Sequence, residues 1–448
     1  MNSTLGEIMK LSLERLHKLL WVVFALMCLV SVYYHKQIYT DGAIWFISVV
    51  NHHQLAIDPP YVRYSSALIQ LPTLLWSYLH GGHTSALYIF CFSYLVYPFL
   101  ALWGMRSWLR KNDRLDLMAP LVQSFLLTIV PTWTFTNGVA PEAIVLSWFL
   151  LLYVWVTVQP KAWLVLLLGA FLLFSYESGF VYYLAAGWIL ARRKQLTFKM
   201  ALVLGVLTAA QLSNLWWNIL PANAHAHFRG SFWQSFNNLA FVLVLAFMLH
   251  SVLTTFKNTR LRFATTIVFG ICCLWVGYSY GQESYENLWA MTYFSRVWCV
   301  PLSGLLFMLA FELQNKRDPL GIKLQGIALL LVFIPVLVLE GLFIHNSRQM
   351  KNKITSLTQT YDGCVSLDFN KHPPLYASSL RPNWTLPFIS LALNVENIKT
   401  VLYHREGQGV HMGCNYESGG LRIFDYYKGG RFEIYLDGHL NLNKFRKD

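Results

Sequence analysis

The feature that most constrains this chain is the recurrence of long apolar runs, separated by short polar connections, over residues 1–344. A helix needs about 20 mostly apolar residues to cross the hydrocarbon core of a bilayer. Such runs lie near 19–34, 84–106, 117–136, 141–158, 163–176, 180–191, 200–220, 239–256, 263–280, 297–313 and 326–344. They predict an α-helical polytopic membrane protein with about eleven transmembrane helices. Of the 448 residues, 55% are hydrophobic and only 13% charged, more apolar than a soluble chain of this size carries. The first run lacks a small-residue cleavage site and further runs follow it, so it is expected to stay as an uncleaved anchor.

Basic residues give the expected orientation, because short loops rich in Lys and Arg stay cytoplasmic. With a cytoplasmic N-terminus, the inner segments hold eighteen basic residues from Lys10 to Lys323, and the outer loops hold four, Lys36, Arg63, Arg229 and Arg296. The bias holds only if 66–79 is an outer-face helix broken by Pro72 rather than a span. The net charge of +13 is then mostly a topology signal and calls for no nucleic-acid partner.

After residue 344 the pattern changes to polar residues, prolines and short alternating apolar runs, so 345–448 is expected to be a small extracytoplasmic domain, mainly β or α+β. Oxidation is allowed there, and Cys364 and Cys414 are expected to form a disulfide, the alternative being two separate buried thiols.

Acids and histidines gather on the expected outer side. Asp41 follows the first span and heads an amphipathic stretch within a long first outer loop, 35–83. At 100° per residue Asp41, Trp45, Ser48 and His52 form one stripe, with Ile44, Ile47 and Val50 facing elsewhere, which predicts a helix lying in the interface. His53, Asp58, Glu142, Glu177 and Glu283 are further outer polar residues. Each also has a structural reading: Glu142 follows Pro141 in a first helical turn, and Glu177 sits in a tight hairpin that Gly179 could end.

An Asp soon after span one, a first outer loop with two interfacial helices, short inner loops and a terminal extracytoplasmic domain together resemble the GT-C superfamily of integral-membrane glycosyltransferases. The resemblance extends to 135–142, 175–179 and 293–301, where Tyr293-Phe294-Ser295-Arg296 precedes Pro301. It implies a polyprenyl-phosphate sugar donor, a glycan or lipid-linked acceptor, and a site on the outer face of a membrane, most simply a bacterial inner membrane where such enzymes decorate O-antigen or another surface polysaccharide. Asp41 would be the general base, taking the proton of the acceptor hydroxyl. Arg63 and Arg296, supported by His52 and His53, would meet the charge on the leaving lipid phosphate. Glu177, Glu142, Glu283 and Trp45 would contact donor or acceptor. The loop has no Asp-x-Asp pair, so neither a metal nor another cofactor is indicated.

No phosphate-binding loop, dinucleotide Gly-rich turn, nucleophile elbow or His-Glu-x-x-His motif occurs in the sequence. The alternative from another class is a multi-pass transporter or flippase of a lipid-linked or small polar substrate. That reading calls for polar groups near the midplane on broken helices.

Overall fold

Long apolar runs recur through residues 1–344, and the computed structural model accordingly builds the protein chiefly from α-helices. It describes residues 2–38, 41–55, 65–79, 82–113, 161–173, 180–219, 239–282 and 318–360, with the short segments 364–368, 392–393, 400–404, 412–417, 420–425 and 433–436. The described helices are α1 (Asn2–Tyr33), α2 (Asp41–His52), α3 (Ser65–Tyr78), α4 (His83–Lys111), α5 (Ala162–Leu173), α6 (Phe180–Arg192), α7 (Phe198–Ile219), α8 (Leu239–Leu253), α9 (Thr259–Gln282) and α10 (Pro319–Thr360).

Two described helical stretches, Thr259–Gln282 and Leu320–Leu342, are long and apolar enough to cross a bilayer. A third counts if His83–Tyr94 and Phe99–Lys111, bent by 44°, form one span. Pro98 sits at that bend, where its missing N–H removes a helical hydrogen bond. The expected runs at 117–136, 141–158 and 297–313 lie outside the described residues, as does a test of the count of about eleven. Helix α9 shows how the chain is divided between protein and surroundings. It buries Phe269, Gly270, Cys273, Val276 and Gly277 and leaves Ile267, Val268, Ile271, Leu274 and Trp275 exposed. An uncovered apolar face of that length is what a bilayer would cover.

Helix α10 was expected to stop near residue 344 and instead continues to Thr360, 42 residues in all. At 1.5 Å per residue it is about 63 Å long, roughly twice the hydrocarbon thickness. Its neighbours fix helix directions. Arg262 of α9 pairs with Asp318 at the start of α10, Gly270 faces Leu331, and Gly277 lies against Pro335, so α9 and α10 run parallel. Helices α1 and α4 are antiparallel, with Trp21 beside Phe99 and His35 beside Tyr88. Helix α1 also packs on α10. The start of α1, the end of α4 and the starts of α9 and α10 therefore share one end of the bundle. That basic end carries Arg106, Arg110, Lys111, Arg260, Arg262 and Lys323.

At the basic end a polar corner joins α8, α9 and α10. Arg262 reaches both carboxylate oxygens of Asp318, at 2.6 and 2.7 Å, and also donates to the Phe256 carbonyl. The Asp318 carboxylate in turn accepts from the Gly321 N–H at 2.8 Å, capping α10. His250 lies 3.0 Å from Thr266 Oγ1. Elsewhere α5 and α6 pack on α7, and Tyr183 donates to the Gly169 carbonyl at 2.7 Å.

Beyond α10 the described strands are β1 (Cys364–Asp368), β2 (Thr400–His404), β3 (Met412–Glu417), β4 (Gly420–Asp425) and β5 (Glu433–Leu436). β1 and β2 are parallel, while β3, β4 and β5 form an antiparallel set. Cys364 lies opposite Thr400 on β1 and Cys414 opposite Ile423 on β3; their thiols lie outside the described side chains.

Candidate functional site

The end of the bundle opposite the basic residues is built by the chain between α1 and α4. Helix α1 stops because His35 takes a left-handed conformation, φ 54°, and its N–H bonds to the Val32 carbonyl at 2.9 Å. Histidine tolerates that region better than most residues. A single 3-10 turn, Lys36–Ile38, follows, and Gln37 and Ile38 within it are buried. Gln37 donates to Ser31 Oγ at 3.0 Å.

Asp41 is the first residue of α2, where a carboxylate favours the positive end of the helix dipole. Its side chain and that of His52 lie outside the described atoms. Within the expected stripe, Trp45 and Ser48 are half-buried, while Ala43, Phe46, Ile47, Val49 and Val50 are buried. Helix α2 is thus enclosed by protein on more sides than the surface helix anticipated from its periodicity. The reason is Phe46, which packs edge-on against both His83 and Phe90 of α4.

The end of α2 is fixed by His53, again left-handed at φ 51°. Its Nδ1 lies 3.1 Å from Ser77 Oγ. The Ser77 hydroxyl donates to the Leu74 carbonyl, so the proton of the first bond belongs to His53 Nδ1. The His53 ring also stacks on Tyr78, whose hydroxyl donates back to the His53 carbonyl at 3.2 Å.

Helix α3 is polar toward the protein and apolar outward. Gln70, Thr73 and Ser77 are buried, whereas Leu71, Leu75 and Tyr78 are exposed. It is not broken at Pro72, as its sequence led one to expect, but runs through it. The Leu68 carbonyl, which a residue 72 N–H would have bonded, accepts instead from the Tyr97 hydroxyl of α4.

These elements meet α4 and the chain beyond α10. His83 Nε2 donates to the carbonyl of Ala392, 309 residues away, at 3.1 Å. β2 contacts α10. His35 is buried against Tyr88, and burial, aided by Lys351 of α10, pushes its pKa down to about 4. The imidazole is therefore neutral at physiological pH. Both of its ring nitrogens, Gln37 Oε1 and Thr73 Oγ1 are buried with no hydrogen-bond partner among the described residues. Buried polar atoms of this kind call for water or a ligand. Beside them a groove of about 430 Å³ runs between α1, α3 and α4, lined by Val32, Pro72, Tyr88, Phe92, Val96 and Tyr97. Its walls are mostly apolar, which suits a hydrocarbon chain better than a sugar.

Of the residues singled out in the sequence, Asp41, Trp45, His52 and His53 fall on or next to one helix here. Arg63, Glu142, Glu177, Glu283 and Arg296 lie outside the described residues. The buried polar set on α3 was missed. Its signal was legible: Gln70, Thr73 and Ser77 recur three and four residues apart, the spacing of one helical face. Among the described residues no group of three His, Cys, Asp or Glu side chains could hold a metal ion.

Compared with known proteins, the chain matches no family model, no curated protein and no solved structure. The described fold itself defines a mostly helical protein with two or three helices of membrane-crossing length.

Proposed function

We propose that this chain is an integral-membrane glycosyltransferase of the GT-C kind, with a cytoplasmic N-terminus, moving a sugar from a polyprenyl phosphate to a glycan or lipid-linked acceptor on the outer face. The observation that carries the reading is the first loop. Asp41 heads a helix packed on α3 and α4, at the end of the bundle that also holds an apolar groove between α1, α3 and α4 and buried polar atoms with no hydrogen-bond partner among the described residues. In the reaction the acceptor oxygen attacks the anomeric carbon while Asp41 takes its proton. The bond from that carbon to the phosphate oxygen breaks, and the lipid phosphate leaves with the electron pair. Arg63 and Arg296 would balance its charge, with His52 and His53 nearby, while Trp45, Glu142, Glu177 and Glu283 would orient the sugars.

The test is a transfer assay with purified protein and a panel of polyprenyl-phosphate sugars, comparing wild type with Asp41→Asn. Loss of a general base lowers the rate by about two to four orders of magnitude. Full activity in Asp41→Asn refutes the assignment of the base.

A transporter is favoured by one observation. Glu340 is buried within α10, five residues past Pro335. Buried acids in spans are costly and commonly line substrate paths. Substrate uptake into proteoliposomes, with no transfer from any lipid-linked sugar, would select that reading.

A further inference from the structure

We propose that the groove between α1 and α4 at the basic end of the bundle binds the phosphate headgroup of an anionic phospholipid. This cavity of about 430 Å³ is lined by Trp21 of α1 and by Phe99, Trp103, Arg106, Ser107 and Arg110 of α4. It is separate from the site proposed for sugar transfer. Arg106 lies 23 residues beyond His83 on α4, roughly 35 Å along the helix.

The lining divides into two chemistries. Arg106 and Arg110 are one turn apart, so both guanidinium groups serve the same face. Two like charges at that spacing repel, and among the described residues neither has an ion-pair partner. A phosphate between them removes the repulsion and accepts from both forks, with the Ser107 hydroxyl as a further donor. The rest of the wall is aromatic: the Trp21 and Phe99 rings stand 5.7 Å apart, and Trp103 is 69% exposed. Tryptophan beside arginine at a helix end is the pairing expected at the level of lipid headgroups. Farther along α4, Leu100 is also exposed and continues the apolar surface on which an acyl chain would lie. A free phosphate would use the guanidinium groups and leave that surface uncovered. The lipid uses both, as basic pockets between membrane helices do for anionic headgroups.

Native mass spectrometry of the full-length protein, released from micelles with added phosphatidylglycerol or phosphatidylcholine, tests this. The wild type should retain phosphatidylglycerol in preference to phosphatidylcholine. Arg106→Gln with Arg110→Gln should weaken phosphatidylglycerol binding roughly thirtyfold, at about one factor of five per arginine. The paired change to lysine, which keeps the charge and loses the fork, should fall between. Arg192→Gln should leave binding unchanged, since Arg192 lies over Trp188 of α6, outside the groove. Equal retention by the wild type and the glutamine pair would overturn the proposal. So would displacement of the lipid by inorganic phosphate at equal concentration, which would mark a free-anion site.

Discussion

The Tyr97 hydroxyl donates its hydrogen bond to the Leu68 carbonyl, the backbone acceptor that Pro72 leaves without a helical partner. One side chain of α4 thereby satisfies the defect that proline introduces into α3 and ties the two helices together. Removing the hydroxyl with Tyr97→Phe leaves that carbonyl unpaired and should cost about 1–2 kcal/mol in unfolding measured in micelles. In a Pro72→Ala background the N–H at position 72 can bond Leu68 instead. Tyr97→Phe should then cost clearly less, and strict additivity of the two changes would refute the coupling.

A second hydrogen bond spans most of the sequence, from His83 to the Ala392 carbonyl. His83→Ala should raise backbone hydrogen exchange around Ala392, corresponding to about 1–3 kcal/mol of lost local stability. His83→Gln keeps a donor and should restore part of the protection. Unchanged exchange in both variants would mean that other contacts hold the segment.

His35 makes stability depend on pH. Its folded-state pKa, about 4, lies below the usual 6.5, so the unfolded chain takes up a proton first as pH falls. The stabilisation is complete above 6.5 and drains away between 6.5 and 4, which removes about 2 kcal/mol between pH 7 and pH 5. His35→Gln should flatten the pH dependence of the melting temperature across that window. An identical slope in wild type and variant would show that His35 is not the titrating group.

At the opposite end, the Arg262 guanidinium holds the Asp318 carboxyl below its usual range, with the Gly321 N–H contributing. This stabilisation is present above the ordinary carboxylate pKa and is lost as pH falls through the depressed value. Asp318 is half exposed, so solvent screens the pair. Asp318→Asn keeps the cap and should be mild, whereas Asp318→Ala should cost about 1 kcal/mol more by uncapping α10. Equal thermal shifts for the two variants would deny the capping role.

Gly169 lets α5 approach α7, because a Cβ there would collide with Leu207 Cδ1. Gly169→Ala should destabilise by about 1–3 kcal/mol through overpacking. Leu207→Ala in the same chain should recover part of the loss, as read from the unfolding transition. A double variant less stable than both single ones would exclude this clash.

Hydropathy made the helices legible, since the starts of α6, α7, α8 and α9 lie within a few residues of where the apolar runs begin. The stripe through Trp45 and Ser48 was equally visible, and both side chains are among the less buried positions of α2. Two features were not readable and a third was readable only in part. The length of α10 was hidden because its last third is polar, and the hydrophobic signal ends where the lipid would end. The continuity of α3 was hidden because proline normally breaks a helix and nothing near it in sequence announces Tyr97. The buried polar face of α3 was visible as a spacing, but spacing does not tell which face turns inward.

The sequence by itself determined that this chain is built largely of apolar helices, because helix formation over long apolar runs depends on local composition. Tertiary structure alone decided that Asp41 heads a helix enclosed by α3 and α4, that His35 is held neutral, and that His83 meets Ala392. Those outcomes depend on contacts between segments far apart in the chain, such as Phe46 on Phe90 and Lys351 near His35, which no local pattern encodes.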